Sequence, residues 1–509
     1  MGNMISKINA ARLAGVVFLI AAVKLALHLY ADRYYGYFID ELYNLALGRH
    51  LDWGYVDVAP MIALLTRIEM TVLGESLQAI RLLPALAGAV KVVLTAAIAR
   101  ELGGGRFAQG LAALCFLVAP GFLALDHFLN VNSFEAVVWI GLAWLVVRLI
   151  RTGDDRLWLW FGLLSGIGLE TKHSVLLFGF ALVAGIAISP ARRHLANRWL
   201  LIGGAIAFLL FLPNLLWNIH YHFPFLELQE NIRRDGRNVS LSPISFFGEE
   251  ALAMLPVSLP VWLAGLWYVL FHRDGRRYAA LGWAFLVASA LILAMNPRTY
   301  YLFPAFPMLF AAGSVAIERW RVRWVRPVLA VLLVGMGALL APTMLPLLPP
   351  ETYVRYVHAT GLEQPRLENH RLGPLPQLFA DQFGWEEMAA ATARVYWSLP
   401  ADVRAHTAIF GQNYGQAGAI DLFGPKYGLP AAISGHQNYY LWGPRGYTGE
   451  SMIVMGDRQD RLEAEFSHVE KRAHVADPYS MPYEHIDIFY CQGLKWPLAE
   501  IWPKVKNWH

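Results

Sequence analysis

Long apolar segments recur along the first two thirds of the chain and stop near Pro350. About 20 mostly apolar residues are enough for a helix to cross the hydrocarbon core of a bilayer. Only 16% of the 509 residues are charged, against about 25% in an average soluble domain, so the chain is too apolar to be mostly soluble. Eleven spanning helices are predicted, at residues 13–31, 79–99, 107–125, 133–150, 157–170, 174–189, 199–217, 250–271, 279–295, 301–317 and 327–345.

Two domains are predicted. Residues 1–346 form a polytopic α-helical membrane domain whose first outer loop covers residues 32–78. After Pro350 the polarity becomes ordinary, and residues 347–509 form a soluble C-terminal domain. Its predicted elements alternate between helix and strand, which favours an α/β domain; they are helix 387–399, strand 407–410, helix 416–423, strand 451–457 and helix 458–465.

Basic residues cluster in alternate connections between the apolar segments. Because such residues mark the cytoplasmic loops of membrane proteins, the N-terminus is predicted to be cytoplasmic and, with eleven spans, the C-terminal domain to lie outside. No small-residue cleavage site follows the first segment, which predicts a signal anchor. The basic set is Lys7, Arg12, Arg100, Arg106, Arg148, Arg151, Arg156, Arg192, Arg193, Arg198, Arg273, Arg276, Arg277, Arg319, Arg321, Arg323 and Arg326; the other connections hold Lys172, Arg298, Arg233, Arg234, Arg237 and a few in the first loop.

Ionisable and aromatic residues converge on the predicted outer face. Singly, each has an ordinary structural explanation, such as a helix cap or an interfacial aromatic. Ionisable groups held at a membrane are nevertheless functional candidates, and their convergence from distant connections favours a catalytic face. The set is Asp40, Glu41, Asp57, Asp126, His127, Glu170, Lys172, His173, His220, His222, Arg233, Arg234, Arg298, Tyr300 and Tyr301.

A reaction on the outer face needs a sugar donor that has already been carried across the membrane, and lipid-linked sugars meet this need. The cytoplasmic run Gly103–Gly105 does not match a nucleotide-binding loop, since no strand precedes it and the glycine fingerprint is incomplete. Transfer requires a carboxylate base, for which Asp40 is the candidate. It also requires cations that stabilise the leaving phosphate, for which Lys172, Arg298 and one of Arg233 and Arg234 are candidates.

At these residues the sequence resembles glycosyltransferase family 39, the GT-C membrane enzymes that include protein O-mannosyltransferases and the lipid A aminoarabinose transferase. The resemblance covers nearly the whole chain. It is carried by Asp40-Glu41 with Tyr43, Gly54-Tyr55-Val56-Asp57 with Pro60, His127-Phe128-Leu129 with Asn132 and Glu135, Gly166 to Ser174, Tyr300-Tyr301-Leu302 with Pro304 and Pro307, Asn413-Tyr414-Gly415, and Ile433 to His436.

The resemblance implies a GT-C fold and a role for each residue. Asp40 would be the catalytic base and Glu41 would orient the acceptor or tune the base. Lys172, Arg298, Tyr300, Tyr301 and the pair Arg233 and Arg234 would bind the donor phosphate or its lipid. The predicted substrate-binding residues are Tyr43, Asp57, Asp126, His127 and His173.

The sequence departs from the aminoarabinose relative at two positions. Val58 stands where that relative has a phosphate-contacting lysine, and Asn231 stands nearest to its metal-associated histidine. No cofactor is assigned with certainty, and a divalent cation held by Asp57 with His220 or His222 remains open.

The expected function is therefore an inverting glycosyltransferase at the periplasmic face of a bacterial inner membrane. It would move a sugar from a polyprenyl-phosphate-linked donor to a hydroxyl of a glycan, lipid or protein acceptor; nucleic acid is not an expected partner. The alternative is a polyprenyl-lipid or sugar transporter or flippase without transferase activity. Transporters are built from inverted repeats with broken helices, and no such repeat is evident here.

Overall fold

The computed structural model describes residues 2–235, 241–295, 298–362, 364 and 371–509, and only the helical backbone of residues 2–14. Arg237 and the side chains of Lys7 and Arg12, used above in the charge pattern, thus lie outside the described residues. The helices are α1 (Gly2–Ala31), α2 (Ile39–Arg49), α3 (Met61–Val72), α4 (Leu77–Ile80), α5 (Leu82–Glu101), α6 (Arg106–Val118), α7 (Pro120–Leu125), α8 (Val131–Thr152), α9 (Leu157–Leu169), α10 (Ser174–Ala187), α11 (Arg198–His220), α12 (Pro224–Arg234), α13 (Pro243–Ala253), α14 (Leu259–Phe271), α15 (Ala279–Met295), α16 (Phe306–Arg319), α17 (Val325–Met344), α18 (Pro350–Thr360), α19 (Gln377–Ala380), α20 (Trp385–Trp397), α21 (Ala401–Arg404), α22 (Tyr414–Phe423), α23 (Gln437–Trp442), α24 (Gln459–Glu465) and α25 (Leu498–Ile501). The strands are β1 (Thr407–Gly411), β2 (Ile433–Ser434), β3 (Ser451–Met455), β4 (Phe466–Val475) and β5 (Ile486–Leu494).

The chain divides into two compact units. Unit 1 comprises Met1–Arg33, Arg81–Trp217 and Val239–Leu347, and unit 2 comprises Tyr34–Ile80, Asn218–Asn238 and Leu348–His509. Most of the first outer loop, together with α12, therefore groups with the C-terminal segment. The simpler domain division after residue 346 stays a prediction.

Unit 1 is helical, and a helix occurs at each of the eleven predicted positions. Within the described residues, six helices are long and apolar enough to cross a membrane, and a bent pair would make a seventh. Four more apolar helices are shorter: Gly15–Ala31, Arg106–Val118, Leu157–Leu169 and Ser174–Ala187. How many of the eleven cross a bilayer stays a prediction.

Two predicted spans are broken. The expected helix 107–125 stops at Val118, and α7 begins at Pro120, since proline has no N–H for the helical ladder. The expected helix 250–271 is a pair, Pro243–Ala253 and Pro256–Phe271, bent by 100°. Leu255 at this bend has a positive φ of 73°, which a non-glycine residue rarely adopts.

Small residues let the helices of unit 1 pack closely. A Cβ atom at Gly313 of α16 would lie 1.8 Å from the carbonyl oxygen of Val261 of α14. At Gly185 of α10 it would lie 2.3 Å from the carbonyl oxygen of Ala280 of α15. Such close contact of backbones is typical of helix packing in membranes.

Unit 2 contains a five-stranded sheet of order β2-β1-β3-β5-β4. Strand β1 pairs in parallel with β2 and β3, whereas β5 pairs antiparallel with β3 and β4. One face, with Ile409 and Ile453, belongs to a core that includes residues of α2, α20 and α22; the other, with Met452 and Val454, belongs to a core that includes residues of α24 and α25. The predicted strands and helices of the tail are all present, and β2, β4 and β5 were not predicted.

Candidate active site

Asp40 lies in the first turn of α2 and is half-buried, so its carboxylate is fixed but still reachable. The hydroxyl of Tyr414 donates to Asp40 Oδ1 at 2.7 Å. The Tyr414 ring stacks on Tyr43 on one side and on His436 on the other, each at 4.7 Å between centroids. These stacked rings hold the hydroxyl that orients Asp40.

Tyr43, three residues after Asp40 on the same face of α2, holds a second carboxylate. Its hydroxyl donates to Asp57 Oδ1 at 3.0 Å. Burial raises the pKa of Asp57 to about 7, and the nearby Asp40 charge adds to this rise despite the opposing Tyr43 hydrogen bond. Burial also raises the pKa of Tyr43, which keeps its hydroxyl a hydrogen-bond donor. The predicted residues Asp40, Tyr43 and Asp57 thus form one cluster in unit 2.

Glycine residues on α22 bring Tyr414 within reach of α2. A Cβ at Gly415 would lie 2.4 Å from Ile39 Cγ1, and one at Gly418 would lie 2.9 Å from the carbonyl carbon and oxygen of Leu42. The apolar face of α2 is covered by this contact, since Leu42, Tyr43 and Leu47 are all buried in protein. The 3–4 spacing of Tyr43 and Leu47 is therefore explained by packing within unit 2.

Glu41 is fully buried, and its Oε2 accepts a hydrogen bond from the Phe38 N–H at 2.8 Å. A carboxylate at this position satisfies a free amide at the helix start and favours the helix dipole. This contact anchors the turn that carries Asp40, and a direct catalytic role for Glu41 stays a prediction.

Two acidic residues of the tail support the cluster and were not predicted. Glu484 accepts from Asn413 Nδ2 at 2.9 Å and Gln416 Nε2 at 3.1 Å, and burial raises its pKa to about 7. Asp381 accepts from the Tyr483 hydroxyl at 2.7 Å, and its pKa is raised by burial and by the Glu484 and Asp40 charges. Asn413, Tyr414 and His436 occur in the family motifs, so the resemblance already indicated that this part of the tail matters. No motif in the sequence indicated Asp381 or Glu484.

Lys172 forms a second cluster, in unit 1, in the turn between α9 and α10. Its Nζ donates to Asn132 Oδ1 at 2.7 Å and to Glu135 Oε2 at 2.9 Å. Nζ also lies over the stacked rings of Tyr301 and Tyr300, 4.1 and 5.3 Å from their centroids. Burial lowers the pKa of Lys172, but the Glu135 charge, the two tyrosines and the Glu135 hydrogen bond together outweigh burial and raise that pKa overall. Lys172, Tyr300 and Tyr301 are therefore brought together around a permanent positive charge.

Two further predicted residues flank this cluster in sequence. Arg298 immediately precedes the 3₁₀ turn Thr299–Tyr301 that carries both tyrosines. His173 follows Lys172, and its Nε2 lies 2.9 Å from Asn214 Oδ1. Burial lowers the pKa of His173, which favours a neutral ring.

Asp126 and His127 lie among ion pairs inside unit 1. Asp126 is fully buried and pairs with Lys24 of α1 at 2.9 Å and with Lys91 of α5. His127 Nε2 lies 3.2 Å from Arg81 Nη1. Arg81 Nη1 in turn lies 3.2 Å from Asp32 Oδ1. Burial and then the Arg81 charge lower the pKa of His127. These contacts join helices together, and a substrate contact for either residue stays a prediction.

The remaining predicted residues lie at or after the end of α11, in unit 2. His220 and His222 are exposed, and Arg233 makes a 3.2 Å surface pair with Glu230. Arg234 donates to Asn231 Oδ1 at 2.8 Å. Among the described residues no group of three or more His, Cys, Asp or Glu side chains could hold a metal ion. A cation held by Asp57 with one of His220 and His222 would involve a smaller group, and it stays a prediction.

Known proteins match this chain in sequence. Residues 57–217 match the family model described as dolichyl-phosphate-mannose-protein mannosyltransferase. The lipid A galacturonosyltransferase RgtD of Rhizobium johnstonii is 26% identical over 320 residues, which cover 60% of this chain and 65% of that protein. The chain thus spans just under two thirds of the length of this curated relative.

Solved structures match nearly the whole chain. ArnT from Cupriavidus metallidurans in the apo state superposes with a TM-score of 0.63 at 14% identity, covering 94% of this chain and 98% of that one. The same protein bound to undecaprenyl phosphate gives a TM-score of 0.60 at 15% identity, with the same coverage. The predicted GT-C fold is thus confirmed; the count of spanning helices and the periplasmic position of the α/β domain stay predictions.

Proposed function

We infer that this chain transfers a sugar from a polyprenyl-phosphate-linked donor to an acceptor hydroxyl. The family match, the sequence relative and the shared fold all support a GT-C glycosyltransferase similar to family 39. The observation that carries the proposal is the fixed orientation of Asp40 by the Tyr414 hydroxyl within the stacked rings. A general base must be held within hydrogen-bond reach of the proton that it removes.

In the proposed reaction Asp40 accepts the proton of the acceptor hydroxyl as its oxygen attacks the anomeric carbon of the sugar. The bond between that carbon and the phosphate oxygen breaks, and its electron pair leaves with the polyprenyl monophosphate. Attack opposite the leaving group inverts the anomeric configuration. The reaction takes place at the periplasmic face, with glycan, lipid or protein as the acceptor.

Lys172 supplies the positive charge for the carrier phosphate in this proposal. Its Nζ is held by Glu135 and Asn132 over the rings of Tyr300 and Tyr301. A preorganised cation stabilises the charge that develops on a leaving phosphate without reorganising during the reaction. Arg298, which immediately precedes the turn that carries these tyrosines, is assigned the same role.

The test measures transfer from a panel of polyprenyl-phosphate sugars by the detergent-solubilised chain, its Asp40→Asn variant and a matched Asp52→Asn control. Asp52 lies in the same loop and is exposed, and its Oδ1 accepts a hydrogen bond from the Trp53 N–H at 2.7 Å. We expect transfer to vanish in Asp40→Asn while donor binding persists, and Asp52→Asn to resemble the wild type. Wild-type transfer that survives in Asp40→Asn would overturn the role of Asp40. A chain that moves the lipid between leaflets of a vesicle but transfers no sugar would be a transporter.

A further inference from the structure

A cavity of about 350 Å³ opens in unit 2 on the sheet face that carries Met452 and Val454. This face is opposite to the one that shares a core with α2, because alternate residues of a strand point to opposite sides. The described residues that line it do not include Asp40, Tyr43, Asp57 or Tyr414. We call it the sheet-edge cavity, and its volume falls in the range of about 300 to 1,000 Å³ that small-molecule sites occupy.

The cavity lies where the parallel strands end. Gln412 follows β1, Gly435 follows β2 and Asp457 follows β3, and all three line it. From β1 the chain continues to β2 on one side, and from β3 it continues to β4 and β5 on the other. The two strands therefore flank a topological switch point, where open α/β sheets bind their ligands. Gln412 Nε2 donates to Asp457 Oδ2 across this point at 2.9 Å.

The floor of the cavity is apolar and its edge is polar. Phe410, Met452 and Val454 form the floor, which offers an aromatic and aliphatic surface to the carbon face of a ring. Gln412, Asp457 and Asn507 add side-chain amide and carboxylate groups. Such groups bind the hydroxyls of a sugar through donors and acceptors in fixed positions.

Cations line the open side. Arg461 and Lys504 line the cavity, are exposed and flank it from α24 and from the segment after α25. Glu465, which also lines the cavity, lies 3.8 Å from Arg461 on the same exposed helix surface, and surface pairs of this kind contribute little. Both cations can therefore bind an anionic group, which favours a ligand with negative charge at one end.

A helix from a distant part of the chain closes the same side. Asn231 of α12 donates to the Trp508 carbonyl at 2.6 Å, and Glu227 pairs with Lys506 at 2.6 Å. These contacts bring Arg234 to the lining. The sequence predicts that Arg234 binds the donor phosphate. In the structure Arg234 lines the sheet-edge cavity together with Arg461 and Lys504.

We propose that the sheet-edge cavity binds a monosaccharide unit that carries a phosphate or carboxylate group. The sugar ring packs on Phe410, its hydroxyls bind Gln412 and Asp457, and its anionic group binds Arg461 and Lys504. This is a binding site additional to the transfer reaction, and it does not depend on Asp40 or Lys172.

The test is calorimetric titration of the full-length chain in detergent with glucose 1-phosphate, glucuronate, glucose and inorganic phosphate. We expect both anionic sugars to bind with a Kd on the order of 1 mM, and glucose and phosphate to bind at least about tenfold more weakly. Equal binding of glucose would exclude anion recognition. Equal binding of inorganic phosphate would reduce the cavity to an anion site without sugar recognition. No binding of either anionic sugar up to about 10 mM would overturn the proposal.

Matched variants locate the binding. Arg461→Ala and Lys504→Ala should each weaken glucose 1-phosphate binding about tenfold, as expected for loss of a charge-assisted hydrogen bond. Arg458→Ala is the control, because Arg458 does not line the cavity and pairs with Asp460 on the surface. An equal loss in Arg458→Ala would show a general charge effect and contradict the assignment. Because the site is distinct, Asp40→Asn should bind these sugars normally, so that failure of the transfer proposal and failure of this one remain distinguishable.

Discussion

At the scale of single residues, the sequence identifies Asp40 as a catalytic candidate but not the residue that orients it. Asp40 is conspicuous because it follows the first apolar segment within an acidic and aromatic loop. Tyr414, whose hydroxyl donates a hydrogen bond to Asp40, is 374 residues away in the chain. Local patterns carry no information on such a pair. Only folding of α2 against α22 shows that the tail supplies part of the candidate site.

Removing the Tyr414 hydroxyl should impair turnover. A hydrogen bond to a charged group contributes about 1.5–3 kcal/mol, so we expect Tyr414→Phe to lower kcat about tenfold or more with the KM for the sugar donor little changed. Tyr479→Phe is the control, since its hydroxyl binds the exposed Glu351 carboxylate at 2.9 Å. Steady-state transfer rates give both constants. Unchanged kcat, or an equal rise in KM, would contradict an orienting role for Tyr414.

The raised pKa of Asp57 should make stability depend on pH. The folded chain holds a proton on Asp57 up to pH about 7, whereas an unfolded aspartate releases it near pH 4. The contribution of Asp57 to stability therefore falls as the pH rises from about 4 to about 7 and is constant above. Asp57→Asn lacks this loss and keeps an acceptor for Tyr43. We expect thermal unfolding to show a higher Tm for Asp57→Asn at pH 8 and nearly equal values at pH 4.5; an equal gain at both pH values would exclude titration of Asp57 as the cause.

Two possible roles of Lys172, binding the donor phosphate and neutralising Glu135, can be separated by mutation. Lys172→Met should weaken polyprenyl-phosphate binding at least about tenfold, because a charge-assisted contact to phosphate is lost. The single variant also leaves Glu135 buried without its cation, which is costly in itself. The double variant Lys172→Met/Glu135→Gln removes that second effect. If binding is still lost in the double variant, the lysine charge holds the phosphate; recovery would mean that Lys172 only neutralises Glu135.

At the scale of elements, apolar length predicts where helices occur better than where they break. The eleven segments all coincide with helices, because a long apolar run has few other stable structures in a membrane. Residues 107–125 are apolar except for Gln109, and the break at Pro120 does not alter that pattern. In the tail, β4 was missed because its residues are mostly polar on both faces, with only Phe466 and Val475 at its ends buried.

The crossing of α2 and α22 should be sensitive to one methyl group. At Gly418 a Cβ would lie 2.9 Å from backbone atoms of Leu42, so Gly418→Ala must push the helices that carry Asp40 and Tyr414 apart. Overpacking of this kind costs about 1–3 kcal/mol, and we expect a lower Tm and lower kcat. Gly335→Ala on α17 is the control, since a Cβ there meets nothing within 4 Å. Unfolding and transfer assays on both variants make the comparison; a wild-type kcat in Gly418→Ala would show that the spacing of α2 and α22 is not critical.

At the scale of the whole molecule, the distribution of basic residues predicts which side of the membrane each connection occupies. Thr152 lies beside Arg151 and Arg156 in a predicted cytoplasmic connection, and Ser467 lies on β4 in the predicted periplasmic domain. Both side chains are exposed, whereas Cys115 and Cys491, the two cysteines of the chain, are buried. Single cysteines at the two exposed positions therefore report their side of the membrane against a low background.

A membrane-impermeant maleimide applied to spheroplasts should label Ser467→Cys and leave Thr152→Cys unlabelled until the cells are lysed. This result follows if basic loops are retained in the cytoplasm and an odd number of spans separates the two ends of the membrane domain. Labelling of Thr152→Cys alone would invert the topology and place Asp40 and the α/β domain in the cytoplasm. Labelling of both variants in intact spheroplasts would place residues 152 and 467 on the same, outer side of the membrane, with an even number of spans between them. That result would contradict the alternation of basic connections on which the eleven-span prediction is built.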